Sequence, residues 1–389
     1  MTLPRGSGSL SVVSSTSFSA PFLVRSAQRG RLRRRLRAVA DAAVTPLSID
    51  DVLDSFHPLR SGTDLRGKIV SVEPETADAA TIVIKPGRDW FGHEPGQYVQ
   101  VGVDVDGVRL WRCYSLTHGP RADGNISITV KAIPGGVVSH HLVHEARPGQ
   151  LVHLQQAAGD FVLPMPIPQQ LLMVTAGSGI TPVIGMLRNL FSKAHRPDVD
   201  ITLVHVNQAE PHSIFKDELR AHAAAGHLRL IEHFDDRDGL LDLARLESLV
   251  PDIGLRAAYA CGPSGLLDAL EEWYDERGLS LNTERFRPAL LAPDGAAGEG
   301  GTVAFADGTV VDADGATPIL DAAESAGVLM PSGCRMGICM GCVLPMKEGA
   351  VRDLRNGEIT VAVPGETAPG GVKIQTCISA AAGDCHLDH

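Results

Sequence analysis

Cys334-Arg335-Met336-Gly337-Ile338-Cys339-Met340-Gly341-Cys342 holds three thiols at C-x4-C-x2-C spacing, and Cys377 supplies a fourth beyond residues 343–376. This is the ligand spacing of a [2Fe–2S] cluster. Thiolates bind the soft iron–sulfur core strongly, and a tight loop aims three of them at one point. Gly333, Gly337 and Gly341 let the backbone close around the core, where amide N–H groups can face the sulfides. Structural zinc is the competing reading, but zinc sites usually use C-x2-C pairs, and this run opens on a wider gap. Unrelated buried cysteines are the other alternative.

On these residues, 301–389 resembles a plant-type ferredoxin domain. The resemblance implies an α+β (β-grasp) fold with Cys334, Cys339, Cys342 and Cys377 as cluster ligands. Cys113, Cys261 and Cys385 are left over, which makes no disulfide framework. A reduced, cytoplasmic compartment fits that cysteine usage. Cys385, His386 and His389 close the chain in what reads as a loose tail with no role. His140, His141, His144 and His153 read as solvated or core histidines rather than metal ligands.

A chain of 389 residues suggests several domains. Every charged residue in 1–40 is an arginine, so the formal net charge of −11 understates the acidity of the rest. Residues 1–47 read as a disordered basic lead. Its composition resembles an organellar transit peptide, and it also fits a basic arm or a solvated tail. No nucleic-acid partner is expected. Residues 48–65 read as a helical lead-in, with a short capped helix over 48–53. The acidic ferredoxin-like segment suits a basic redox partner, because complementary charge speeds encounter. No apolar run approaches the length of a membrane span.

Over 66–166 the pattern is one of short β-branched strands at 68–72, 80–84, 98–103, 110–115, 125–132 and 151–156, separated by turns such as Pro95-Gly96. That spacing predicts a small antiparallel β-barrel, with one helix inserted over 139–145. From 167 to 288 strands at 171–175, 201–206, 228–232 and 258–261 alternate with helices at 182–195, 214–225, 241–250 and 265–278. This is the signature of an α/β doubly wound domain. Residues 289–300 read as a linker.

Arg112-Cys113-Tyr114-Ser115 ends a barrel strand. An arginine fork can grip phosphate, a tyrosine can stack on a flat ring, and a serine can hydrogen-bond a ring heteroatom. Lys131 and Gly135-Gly136-Val137-Val138-Ser139 follow, glycines opening a helix with a hydroxyl at its start, which suits a phosphate seat. Gly96-Gln97-Tyr98 precedes the set and Gly159-Asp160-Phe161 closes it. Taken alone, Arg-x-Tyr-Ser also fits ordinary strand packing.

In this order the motifs resemble the ferredoxin–NADP reductase superfamily. The resemblance implies a flavin, FAD rather than FMN. It implies Arg112, Cys113, Lys131 and 135–139 around the flavin, Tyr114 on its ring, and Ser115 near its reactive nitrogen. Gly177-Ser178-Gly179-Ile180-Thr181-Pro182 then matches the superfamily's G-x-G-x-T-P turn for a nicotinamide coenzyme's pyrophosphate. Cys261-Gly262-Pro263 matches the loop beside the nicotinamide, and Glu284-Arg285-Phe286 matches the Glu-x-Phe ending near the flavin. Tyr114, Ser115 and Cys261 are the residues so implied at the chemistry. Past the second strand, Asn207-Gln208-Ala209-Glu210 offers no arginine for a 2′-phosphate, which leans toward NADH over NADPH.

A nicotinamide gives two electrons as one hydride, a [2Fe–2S] cluster takes one at a time, and flavin can do both. The expected function is therefore NAD(P)H-dependent electron transfer through FAD and the cluster to an acceptor protein. The lead-in helix and Trp111-Arg112-Cys113-Tyr114-Ser115-Leu116-Thr117 resemble actinobacterial electron-transfer partners of membrane acyl-CoA desaturases. That likeness implies a desaturase acceptor, with membrane contact only through it. A Rieske or diiron oxygenase, a cytochrome P450, or a non-catalytic redox sensor are the alternatives.

Overall fold

The computed structural model describes residues 57–61, 64–105, 107–192, 198–286, 298–333, 335, 337, 340–364 and 370–389. The basic lead, the helix expected over 48–53, most of the linker, and the expected ligands Cys334 and Cys339 lie outside the described residues. Leu59–His389 forms one compact unit.

Six strands build the first domain: β1 (Arg66–Thr76), β2 (Ala79–Pro86), β3 (Tyr98–Val105), β4 (Val108–Ser115), β5 (Ile126–Lys131) and β6 (Leu151–Leu154). They pair antiparallel in the order β4-β3-β6-β1-β2-β5. Closure comes just past β4, where Leu116 bridges Ile128 of β5. Alternating β-branched residues, among them Ile82, Ile84, Val99, Val101, Ile126 and Ile128, fill the interior. The inserted helix α1 (Val137–His140) starts before the expected 139 and widens into a π-helical turn over His141–Glu145, with Leu142 fully buried in the barrel core.

The second domain is a parallel sheet of β7 (Gln170–Ala176), β8 (Asp200–Asn207), β9 (Arg229–Phe234), β10 (Ala257–Cys261) and β11 (Leu281–Glu284), in the order β11-β10-β7-β8-β9. Its strands alternate between two layers. Leu171 and Met173 pack with α2 (Ile180–Phe191) and α3 (Lys216–Ala224). Leu172 and Val174 pack with α4 (Leu243–Leu249) and α5 (Ser264–Glu276). Strand β11 is an addition to the four strands read from the sequence. Leu-Asn-Thr-Glu is short and polar, so it carries little strand signal.

The third domain holds β12 (Gly298–Phe305), β13 (Val310–Gly315), α6 (Ile319–Ser325), β14 (Val343–Asp353), β15 (Ile359–Ala362), β16 (Val372–Gln375) and β17 (Ser379–Leu387). The order is β13-β12-β17-β14-β15, with β16 beside β14; β12 and β17 run parallel. Helix α6 packs Ile319, Leu320 and Ala323 into the sheet core. This is the expected β-grasp. The loose tail is a correction: Cys385 and His386 belong to β17, the central strand, and Cys385 is buried. Strand β12 also begins inside the stretch read as linker.

Barrel and nucleotide domain meet closely at Gly185, on α2. A Cβ there would lie 2.4 Å from the Leu116 carbonyl oxygen. Alanine favours a helix over glycine by about 1 kcal/mol. Backbone at that distance cannot swing aside like a side chain, and overpacking costs about 1–3 kcal/mol. Gly185→Ala is therefore expected to lower the thermal midpoint of the protein, followed by circular dichroism; an unchanged or raised midpoint would show that α2 and the strand end part without cost.

Candidate functional site

One cleft of about 1460 Å³ is lined by all three domains. The end of β4, still paired with β3, brings Arg112, Cys113, Tyr114 and Ser115 to its wall. Lys131 and the Gly135–Ser139 segment line the same side, Ser178, Thr181, Glu284 and Phe286 the nucleotide side, and Asp321, Glu324, Arg335 and Cys377 the third. Nearly all of the residues expected around a flavin are thus brought together.

The groups present fit a flavin. Ser115 is buried, and its hydroxyl finds no hydrogen-bond partner among the described residues. Such an orphan costs stability unless a ligand satisfies it. The Arg112 guanidinium donates to the Trp111 carbonyl at 2.7 Å and makes no ion pair among the described residues. Burial first, and then the nearby Arg335 guanidinium, lowers its pKa. A partly buried cation short of an anion suits a diphosphate. Burial also pushes the Tyr114 phenol up, so that ring stays neutral. Gly136 leaves room for the turn: a Cβ there would lie 2.4 Å from Ser139 Oγ, which itself donates to the Gly136 carbonyl at 3.1 Å.

On the nucleotide side, Gly177–Gly179 forms a 3-10 turn that leads into α2, with Gly177 at φ +54°. Thr181 Oγ1 donates to the Ser178 carbonyl at 2.9 Å. Gly179 is required by a close approach, since a Cβ would lie 2.0 Å from the Cys261 carbonyl oxygen. That contact locks the two nucleotide loops together. Gly177, Gly179, Pro182, Gly262 and Pro263 shape these loops from behind, without lining the cleft. Cys261 also stands behind the wall. Its side chain is fully buried, and burial, then the Glu284 carboxylate, holds the thiol protonated.

Glu284 pairs in register with Cys261 across β10 and β11 and does line the cleft. Burial, then Asp160, raises its carboxyl to about 7. It can therefore carry a proton near neutrality, unlike an ordinary glutamate.

On the third side, Cys342 and Cys377 are buried with their sulfurs 3.2 Å apart, beyond disulfide length. Two converging thiols fit one edge of an iron–sulfur core. Arg335 takes a left-handed conformation at φ +58° and ties this loop to α6: Nη1 donates to Asp321 at 2.9 Å and Nη2 to Glu324. His389 reaches the cleft as well, in contact with the Leu329 carbonyl at 2.6 Å. Asp321, Glu324 and His389 carried no sequence signal, since only the fold brings them to residues 112–139. A bound flavin would exchange a hydride for single electrons, and a bound cluster would take them one at a time. The residues around them bind, orient and exclude water.

Three family descriptions match successive parts of the chain: an oxidoreductase FAD-binding domain over 68–163, an oxidoreductase NAD-binding domain over 173–272, and a 2Fe-2S iron-sulfur cluster binding domain over 305–382. The chain is 46% identical over 364 residues to a protein named NADPH oxidoreductase from Mycobacterium tuberculosis, covering 91% of this chain and 92% of that one. It is 28% identical to the ferredoxin reductase component of 3-ketosteroid-9-alpha-monooxygenase from Mycolicibacterium smegmatis, covering 73% and 86%. In fold it is similar to phthalate dioxygenase reductase, with TM-score 0.55 at 22% identity over 83% and 97% of the two chains.

Two outcomes follow from the site. Cys342→Ser is expected to abolish the iron–sulfur absorbance and sharply lower cytochrome c reduction. Flavin content and ferricyanide reduction should persist, because ferricyanide can draw on flavin directly. Cytochrome c turnover at the unmodified rate without a cluster would refute this order. Glu284 titrates near 7 folded and near 4.5 unfolded. Between those values the folded state holds the extra proton, so stability falls as pH rises through the window. The thermal midpoint of Glu284→Gln should rise relative to the unmodified chain between pH 5 and pH 8. Parallel pH profiles would show that Glu284 ionises normally.

Proposed function

Since this chain belongs to the family of oxidoreductases that join FAD-binding, NAD-binding and 2Fe-2S domains, we propose that it passes electrons from NADPH to an enzyme that activates oxygen at iron. Transfer from NAD(P)H through FAD to the cluster is the family's reaction. The observation that supports the reading is the shared cleft, in which the flavin strand, the nucleotide turn and Cys377 face one space.

The coenzyme is the first finer point. Gln208 and Glu210 leaned to NADH. Glu210, however, is engaged by Arg220 at 2.8 Å and Lys216 at 3.5 Å. The Arg220 hydrogen bond holds its carboxyl below the usual range. Its charge is countered by Arg220, which also donates to Glu232 at 2.8 Å, and by Lys216, and these two cations flank the loop after β8, where a 2′-phosphate could draw on them. The Mycobacterium tuberculosis relative is named for NADPH, which supports the same choice.

The acceptor is the second. The Mycolicibacterium smegmatis relative is named as part of a monooxygenase, which favours an oxygenase partner. The 111–117 resemblance selects a membrane acyl-CoA desaturase within the same oxygen-activating class. We take the desaturase as the acceptor to test first, with membrane contact through that partner. Cys113, Lys131, Val137, Val138 and Phe286 serve here as flavin contacts, and Cys261 as the backing of the nicotinamide face.

Initial rates with both coenzymes test the first point. NADPH should give the higher kcat/KM, and Arg220→Ala should lower that value about 10-fold while sparing NADH, since a charged contact contributes about 1.5–3 kcal/mol. An unmodified protein that prefers NADH would overturn the choice. For the acceptor, NADPH and the purified protein should drive acyl-CoA desaturation in host membranes stripped of their own reductase. Activity confined to a soluble oxygenase would replace the desaturase.

A further inference from the structure

Helix α2 carries the nucleotide turn at its start and lays one face along the end of β4. Thr181 begins that face at the cleft. One turn on, Gly185 meets the Leu116 carbonyl, and beyond it Arg188 and Asn189 meet Thr117 and Gly119. The row runs outward along the strand end that presents Ser115.

Arg188 is the charged member of this row. Its Nη1 donates to the Thr117 carbonyl at 2.9 Å. Its Nε and Nη2 donate to the two carboxylate oxygens of Glu218, on α3, at 2.8 and 2.6 Å. Its Cζ lies 4.7 Å from the centroid of the Phe215 ring, and the side chain is only 15% exposed. A fork on a carboxylate fixes the plane of the guanidinium, which a lysine cannot do. The accepting carbonyl is fixed too: Thr117 N donates to the Ser127 carbonyl at 2.9 Å, and the two hydroxyls lie 2.8 Å apart. One side chain therefore joins the strand end of the barrel to two helices of the nucleotide domain.

We propose that Arg188 is a positioning residue for hydride transfer. Held by Glu218, it fixes α2, and with it the Ser178–Thr181 turn, against the strand that presents Tyr114 and Ser115. The inference rests on the NADPH-to-flavin reading above. One hydride, with its electron pair, passes from coenzyme to flavin, oxidising the first and reducing the second. Arg188 touches neither and exchanges no proton. Its effect is distance: a displacement of about 1 Å at reacting atoms can cost on the order of 100-fold in rate.

Stopped-flow mixing of the full chain, loaded with FAD and cluster, with saturating NADPH reads flavin bleaching. The long-wavelength charge-transfer absorbance of the nicotinamide–flavin pair reads their approach. Arg188→Met should slow bleaching about 10- to 100-fold and weaken that band. Flavin content, and cluster reduction by dithionite, should stay as in the unmodified protein. Arg188→Lys keeps the charge without the fork and should recover only part of the rate. Glu218→Gln keeps the guanidinium but loosens its hold, and should slow bleaching about 3- to 10-fold; it carries the test if Arg188→Met does not fold. Unmodified bleaching and band in folded Arg188→Met, or in Glu218→Gln if the former does not fold, would overturn the proposal. An unmodified protein that holds FAD yet is bleached by neither coenzyme would instead overturn the functional reading, a result separate from any behaviour of the variants.

Discussion

Two backbone carbonyls past the end of β4 hold the molecule's working geometry together. The Leu116 carbonyl abuts Gly185, and the Thr117 carbonyl accepts from Arg188. Leu116 also closes the barrel through its bridge to Ile128. Closure of one domain and docking of the next therefore use the same residues. The first contact is stiff, because it joins backbone to a helix with no Cβ between them, and the second is held by the Arg188–Glu218 fork. A packed junction of this kind moves as a unit rather than by small local shifts.

The cleft that results collects polar groups the protein alone leaves unsatisfied. Among the described residues the Ser115 hydroxyl has no partner and the partly buried Arg112 has no ion pair, and Glu284 is raised by burial. Each costs free energy in an empty fold. The charges are also divided by domain. The barrel wall supplies Arg112 and Lys131, while the ferredoxin wall sets Asp321 and Glu324 around Arg335. An anionic ligand would be gripped on the barrel side, while on the ferredoxin side Arg335 already pairs with both carboxylates.

Much of this was legible in the sequence where local chemistry and spacing coincide. The cysteine spacing, Arg112-Cys113-Tyr114-Ser115 and the Gly177–Pro182 turn each carry their chemistry within a few residues. The alternation of strands and helices fixed the order of the domains. What stayed hidden depends on tertiary placement. Strand β11 is too polar to announce itself and is held by pairing with β10. Cys385 and His386 read as part of a tail because the stretch before them, Ser-Ala-Ala-Ala-Gly, has low strand propensity; Ala380 and Ala381 fit in β17 because they are small and buried against neighbours. The depth of Cys261 was invisible too, since a buried thiol and a reactive one look alike in a motif.

The central place of β17 sets an order in time. The strand pairs with β12 on one side and β14 on the other, yet it follows both in the chain. During synthesis, barrel and nucleotide domain can collapse as they emerge, since domains fold as units from the N-terminal side. The third domain must wait with a gap in the middle of its sheet, and Cys377, just ahead of β17, waits with it. Flavin and coenzyme sites can thus form on the growing chain, whereas the thiols expected to take iron and sulfide, all made before β17, are backed by a complete sheet only once that strand has been added.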